Sequence, residues 1–233
     1  EDLMEQIGFN FVMYDVGERA KRINMERKLL IQSPRQTLSA TLICGPDSED
    51  TLEWNLKALH RVVDEIVIAD CGMNFAAKLI AERYDAKIVT GIDPKKHGFD
   101  TARNIALNAS SSDWVLWIDS DERLIEPQQI NKYLKPRAYS GFSIPQHHFA
   151  CDAQFPPDLP VRLFKNDGNM KFFGRVHEHP ETALNAGPGE VLVLGDVNIA
   201  HVGYLTENTR RRRFDRNWPL MEMDCRDYPE RKL

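Results

Sequence analysis

The sequence predicts an α/β protein: a mostly parallel central sheet flanked by helices, followed by a mixed, partly antiparallel region. Three observations carry this. Strand-like and helix-like runs alternate as βαβαβ from Leu38 to Thr90, the order that builds a parallel sheet through right-handed crossovers. The run Trp114-Val115-Leu116-Trp117-Ile118 is apolar throughout, as expected of a strand covered on both faces. From Tyr139 the chain breaks into short β-rich runs separated by Pro and Gly, a pattern that suits antiparallel pairing.

Taken in order, residues 1–36 are charged, with Val12, Val16, Ile23, Leu29 and Leu30 in a loosely helical spacing closed by Ser33-Pro34, and read as a helical amino-terminal arm. Residues 37–233 form one domain, with a first half to residue 123, a second half over 124–205 and a closing helical segment over 206–233. Within it Leu38 to Cys44 is the first strand, followed by the turn Gly45-Pro46-Asp47-Ser48. A helix from about Asp50 to His60 then places Leu52, Leu56 and Leu59 on one face. Ile66 to Ala69 is the second strand, ending at Asp70-Cys71-Gly72. A helix from about Phe75 to Tyr84 and a strand from Lys87 to Thr90 follow, and Thr101 to Ala109 reads as a helix carrying Ala102, Ile105, Ala106 and Ala109. Pro127 opens a helix to Leu134, at the position where its missing N–H costs least. The later β runs are Tyr139 to Ile144, Val161 to Lys165, Lys171 to Val176 and Val191 to Ile199. The stretches Gln146 to Pro160 and Thr182 to Glu190 read as irregular, and a helical region starts near Thr206.

The 233 residues suffice for one large α/β core. A net charge of −5 gives no general pull toward nucleic acid or anionic membrane, and no apolar segment is long enough to span a bilayer. Cys44, Cys71, Cys151 and Cys225 are scattered, without a C-x-x-C pair. Reduced thiols and a cytoplasmic location are therefore expected. The chain lacks the apolar core of a secretory signal and does not begin with Met, and it is expected to be part of a longer one.

Chemistry concentrates at Asp119-Ser120-Asp121. Two carboxylates one residue apart at the end of a buried strand offer hard oxygen ligands to Mg²⁺ or Mn²⁺. In open α/β sheets, ligands collect outside the carboxyl ends of the strands. A bare Asp-x-Asp is also a common solvated turn. The loops Cys44 to Asp50 and Asp70 to Asn74 fall at the same sheet edge. Neither G-x-G-x-x-G nor G-x-x-x-x-G-K-[ST] occurs, so dinucleotide and P-loop chemistry drop out.

The order of several blocks is more specific. Val63 to Asp70, Ala102-Arg103-Asn104 and Asp113 to Glu122 resemble successive blocks of family 2 glycosyltransferases. Arg162-Leu163-Phe164-Lys165-Asn166, Gly174-Arg175-Val176-His177-Glu178 and Ile199-Ala200-His201-Val202-Gly203-Tyr204 resemble later blocks of the small bacterial members. The match covers about residues 38–224. The resemblance implies a Rossmann-like GT-A fold with a nucleotide-sugar donor, a UDP-sugar, across the first half and an acceptor met by the second. Asp70 would contact the base, Arg103 would lie beside the diphosphate, Asp119 and Ser120 would border the ribose, and Asp121 with Asp119 and His201 would hold Mn²⁺ or Mg²⁺. Glu178 is the first candidate for the base that deprotonates the acceptor, with His177 second and Asp152 and Asp158 in reserve.

Against these roles stand ordinary ones: a turn-capping Asp70, an ion-paired surface Arg103, a partly buried His201, and a polar turn at His177-Glu178. Arg210 to Arg213 reads as a solvated, flexible segment with one Arg reaching the diphosphate. Trp54, Trp114, Trp117 and Trp218 read as core. The first two loops depart from the family pattern: Cys44 to Asp50 lacks the usual Thr-Lys-Asn-Glu-Glu, and Asp70 to Asn74 lacks its Ser and second Asp. The expected acceptor is a glycan, a lipid-linked group or a polypeptide. Nucleic acid is not an expected partner, and residues 1–36 are a possible dimer or partner contact. A non-catalytic nucleotide-sugar-binding domain and a sugar nucleotidyltransferase are the alternatives.

Overall fold

The computed structural model describes residues 34–135, 141–150, 155–168, 170–181 and 191–229. Contacts divide the chain at Pro34, and the helical arm expected over residues 1–36 falls outside the described residues but for its last three.

Seven strands form the main sheet in the order β11-β6-β8-β4-β1-β2-β3. Its parallel half is β1 (Leu38–Cys44), β2 (Glu65–Asp70), β3 (Lys87–Thr90) and β4 (Trp114–Trp117). Its other half is β6 (Gly141–Ser143), β8 (Val161–Lys165) and β11 (Val191–Val193), of which β8 runs against both β4 and β6. The helices are α1 (Glu49–Leu59), α2 (Phe75–Arg83), the single turn α3 (Pro94–His97), α4 (Phe99–Asn108) and the long α5 (Glu207–Asp227).

Strand periodicity decides which side chains meet which helices. On β1, β4 and the residue that follows β4, Leu38, Ala40, Leu42, Trp114, Leu116 and Ile118 point to one face, where they pack with Leu52, Leu56 and Leu59 of α1 and Ala77 and Ala81 of α2. On the opposite face Val67 and Ala69 of β2 meet Ala106 of α4, and Val115 and Trp117 join Leu107, Phe164 and Phe172. The sheet is thus covered on both sides, which explains the unbroken apolar run of β4.

A smaller sheet holds β5 (Glu122–Ile125), β12 (Asn198–Tyr204) and β7 (Gln146–Ala150) in that order. Strand β12 is antiparallel to β5 and parallel to β7. This sheet departs from the sequence expectation. Gln146-His147-His148-Phe149-Ala150 alternates inward and outward as a strand, whereas its polar composition had read as irregular. The run Val191 to Ile199 is two strands in two different sheets, split at Gly195-Asp196. Pro127–Lys132 is a 3-10 helix rather than an α-helix.

Helix α5 starts with a capping box, in which the Thr206 hydroxyl accepts from Thr209 N–H and the Thr209 hydroxyl accepts from Thr206 N–H. It docks through buried Leu220 and Asp224, the latter accepting from the Arg175 backbone and guanidinium. Arg210 to Arg213 are therefore in the first turns of a capped helix. Trp114 and Trp117 are core, as expected, but Trp218 is 48% exposed and lies against Phe214 on the outer face of α5. No helix among the described residues is long and apolar enough to cross a membrane.

Leu116 sits mid-sheet, in register with Ala40 on one side and Leu163 on the other, and is fully buried. Leu116→Ala should cost about 2–5 kcal/mol, because the flanking strands cannot close the cavity. Urea unfolding should show it as a lower midpoint at unchanged slope.

Candidate active site

The acidic turn leaves β4 at its carboxyl end and runs directly into β5, so Asp119 to Asp121 bridge the two sheets. Glu122 fixes the turn. Its side chain is fully buried; Oε2 accepts from Asp119 N–H at 2.8 Å, and Oε1 accepts from Arg162 Nη2 at 2.7 Å and from Gln146 Nε2. Asn55 of α1 donates to the Asp119 carbonyl at 2.7 Å, and Val202 N–H of β12 donates to the Asp121 carbonyl at 3.0 Å. Burial pushes the Glu122 carboxyl up, and the Arg162 charge only partly opposes it.

Arg103 is the second organising side chain. Its Nη2 donates to Asp119 Oδ1 at 2.7 Å and its Nε to Glu178 Oε1 at 2.5 Å, so one buried guanidinium joins α4, the acidic turn and the loop before β10 (His179–Glu181). Trp117 lies between two cations, with Arg103 4.3 Å and Arg162 3.7 Å from its ring centre. Such stacking is attractive for desolvated guanidinium groups. The neighbouring Asn104 clamps β9 (Lys171–Phe173) by bonding both backbone groups of Phe172 at 2.9 Å, which delivers Glu178 to Arg103. Burial alone would raise the Asp119 carboxyl, but the Arg103 and Arg162 charges hold it well below the usual carboxylate range.

On the other side of the turn, Asp121 faces β12. His201 is buried within that strand, and its Nε2 lies 3.6 Å from Asp121 Oδ2. The guanidinium of Arg213, from α5, donates to Asp121 Oδ2 and approaches His201 Nε2 at 3.2 Å. Burial would raise the Asp121 carboxyl; the adjoining His201 side chain and the Arg213 charge outweigh it and lower it. Gly203 underlies this meeting point, since a Cβ there would collide with Asp121, His201 and Arg213 at once. Arg216, one turn beyond Arg213, stacks over Phe99 at 4.7 Å on the same side of α5.

The structure thus brings Arg103, Asp119, Asp121, Glu178 and His201 together, with Ser120 half-buried between the two aspartates. His177 is exposed and adopts a left-handed backbone at φ +53° beside Glu178. Asp70 sits at the end of β2, separated from β4 by β1. Its Oδ1 accepts from the Gly72 and Met73 N–H groups, and its Oδ2 pairs with Lys78 at 2.9 Å. Asp152 lies outside the described residues. Among the described residues, no three His, Cys, Asp or Glu side chains are grouped to hold a metal ion; the converging pair is Asp121 and His201. A carboxylate oxygen and an imidazole nitrogen over a glycine suit Mn²⁺ in donor type, and Asp119 is turned instead to Arg103.

Several functional residues were missed in the sequence. Arg162 lies inside a family-like block without a role of its own there, and Glu122 is hidden as the last residue of the acidic run. Gln146 and His148 have the i, i+2 spacing that places both on one face of a strand, a signal masked by the surrounding Pro and polar residues.

A mostly parallel sheet with an Asp-x-Asp turn at its carboxyl edge, joined by that turn to a small sheet carrying a facing histidine, defines a GT-A protein. Residues 47–184 match the family model of glycosyl transferase family 2, and the chain belongs to that family. It is 29% identical over 234 residues to the SPbeta prophage-derived glycosyltransferase SunS of Bacillus subtilis, covering 94% of this chain and 53% of that protein. It is 26% identical over 199 residues to a TPR repeat-containing protein of Synechococcus elongatus, covering 79% of this chain and 47% of that one. The chain therefore spans about half the length of these curated relatives. Two solved structures share the fold. Mannosyl-3-phosphoglycerate synthase from Rubrobacter xylanophilus has a TM-score of 0.51 at 14% identity, over 91% of this chain and 79% of that chain. Glucosyl-3-phosphoglycerate synthase from Mycobacterium tuberculosis, in complex with Mn²⁺, UDP and phosphoglyceric acid, has a TM-score of 0.51 at 16% identity, over 82% and 78% respectively.

Because Glu122 and Arg162 are buried together, Arg162→Met should destabilise by roughly 3–5 kcal/mol by leaving a buried carboxylate without its cation. Adding Glu122→Gln should recover much of that loss in denaturant titration, since the amide oxygen still accepts from Asp119 N–H.

Proposed function

We propose that this chain transfers a sugar from a nucleotide-sugar donor, a UDP-sugar, to an acceptor hydroxyl or thiol, with inversion at the anomeric carbon. The observation that carries this is the convergence of Asp119, Asp121, His201 and two arginines at the carboxyl end of β4, in a chain of glycosyl transferase family 2. Asp121 and His201 would hold Mn²⁺ or Mg²⁺, and such an ion, when bound, would stabilise negative charge on the departing diphosphate. The Mn²⁺ and UDP of the mycobacterial neighbour are compatible with this choice.

The chain's own residues have separable tasks. Arg103, beside the diphosphate, gives its Nε and an Nη2 donor to Glu178 and Asp119, so we assign it to orienting those carboxylates. Arg213 and Arg216 project from α5 toward the acidic turn and are the better candidates for phosphate contacts. Asp119 then serves the ribose, with Ser120 beside it, and Asp70 the base. As the acceptor oxygen or sulfur attacks the anomeric carbon, the bond to the diphosphate breaks and the acceptor proton passes to Glu178, with His177 as the neighbouring alternative. A glycan, lipid-linked or polypeptide acceptor, a cytoplasmic location and self-association through residues 1–36 belong to the same proposal. Free Cys44, Cys71 and Cys225 are in keeping with a reducing compartment.

Asp121→Ala should lower metal-dependent UDP-sugar hydrolysis or transfer by about 10²-fold or more. Full retention of metal-dependent turnover would remove Asp121 from the site. UDP with Mn²⁺ at about a hundredfold excess over Kd should raise the melting temperature by about 5–10 °C. No shift with any nucleotide, with or without Mn²⁺, would refute donor binding. Binding without turnover across a broad acceptor panel would identify a binding module instead.

A further inference from the structure

Behind His201, which faces the acidic turn, lies a second imidazole, His148, that the transfer chemistry does not use. His148 of β7 and His201 of β12 are register partners in the small sheet, and their Nδ1 atoms are 2.8 Å apart. The outer nitrogen of His148, Nε2, is 2.9 Å from Asp158 Oδ2. His201 is buried and His148 half-buried, with 4% and 12% side-chain exposure. Tyr204 packs edge-on against each, at 5.6 and 5.1 Å between ring centres, which limits their rotation.

With both rings neutral, donor and acceptor rules assign the protons along this row of side chains from either end. An ionised Asp158 only accepts, so His148 Nε2 carries the hydrogen and His148 Nδ1 presents a lone pair. His201 Nδ1 must then be the donor across the 2.8 Å contact, which leaves His201 Nε2 bare. At the far end Arg213, which can only donate, approaches that same Nε2 at 3.2 Å and demands a lone pair there. For neutral rings both ends reach the same assignment, and Arg213 at 3.2 Å lies nearer that nitrogen than Asp121 Oδ2 at 3.6 Å.

We infer that Asp158 and His148 are positioning residues that lock His201 in the Nδ1–H tautomer, with its Nε2 lone pair held toward Asp121 as a ready-made nitrogen ligand. The role of that ligand rests on the metal reading of Asp121 and His201 given above. The arrangement extends the general rule that a metal-binding histidine donates its other ring N–H to a partner that fixes its orientation. Here the partner is a second histidine, itself anchored by a carboxylate. It also gives Asp158, a reserve candidate for the base, a different task.

The test uses the protein labelled with ¹⁵N-histidine and free of metal. Two-bond ¹⁵N–¹H spectra should show His201 protonated on Nδ1 and His148 on Nε2. His148→Phe should release His201 into a mixture of tautomers, whereas His148→Asn, which keeps an acceptor oxygen near the Nδ1 position, should restore the single tautomer. In Mn²⁺ titrations followed by electron paramagnetic resonance with UDP present, His148→Phe should weaken binding about 10- to 100-fold and His148→Asn should recover most of it. Thermal melts identify any variant that fails to fold, in which case Asp158→Ala takes its place with the same expectations. An Nε2–H tautomer at His201 in the wild type, or a His148→Phe protein with unchanged tautomer and Mn²⁺ affinity, overturns the inference. A wild type with the expected tautomers that binds no Mn²⁺ overturns instead the metal reading, and with it the relay's purpose.

Discussion

The structure depends on one buried carboxylate. Glu122 accepts from the backbone of Asp119, from Arg162 on β8 and from Gln146 on β7, so a single side chain ties the end of β4 to strands of both sheets. An isolated charge in such a place would be prohibitive; a charge with its hydrogen bonds filled is tolerated and brings geometric definition more than net stability. That definition is what a pair of aspartates one residue apart requires. Without it, Asp119 and Asp121 would repel one another on a turn free to open.

Around this anchor, charge is divided by direction. Arg103 draws Asp119 back toward α4 and Glu178, over the face of Trp117, while Arg213 and His201 face Asp121 from the small sheet and α5. The two aspartates therefore look to opposite sides of the turn, although sequence spacing alone treats them as equivalents. Gly203 completes the separation by leaving room where any side chain would intrude. The proposed cation site and the arginine that orients Asp119 can then lie side by side without sharing an oxygen.

Much of the first half was legible in the sequence because local periodicity and burial agree there. Leu52, Leu56 and Leu59 at helical spacing, and the unbroken apolar run of β4, each admit one reading, and both elements lie where that reading places them. The small sheet was not legible. Its strands are rich in His, Gln, Asn and Glu because they line a polar site, so the hydrophobic alternation that reveals a strand is missing where it was needed. The same cause split the reading of the site: Asp119, Asp121 and His201 could be named from their blocks, but Glu122, Arg162, Gln146 and His148 act through buried polar contacts, which leave no apolar pattern. Asp70 teaches the converse. Its place at the end of β2 was evident, yet its hydrogen bonds to Gly72 and Met73 are set by the turn itself.

Chain order gives the small sheet a further significance. The contacts that close the site join residues far apart: Arg103 and Glu178 by 75 positions, His148 and His201 by 53, Asp121 and Arg213 by 92. Pairings of such separation form slowly, since a long loop must be closed before any contact rewards it. During synthesis, β1 to β4 and their helices emerge ahead of β12 and α5 and can associate locally before these appear. Until they do, Asp121 has neither His201 nor Arg213 opposite it. The acidic turn is thus made early and armed late, and a nascent chain carries the sheet for some time before it carries the site.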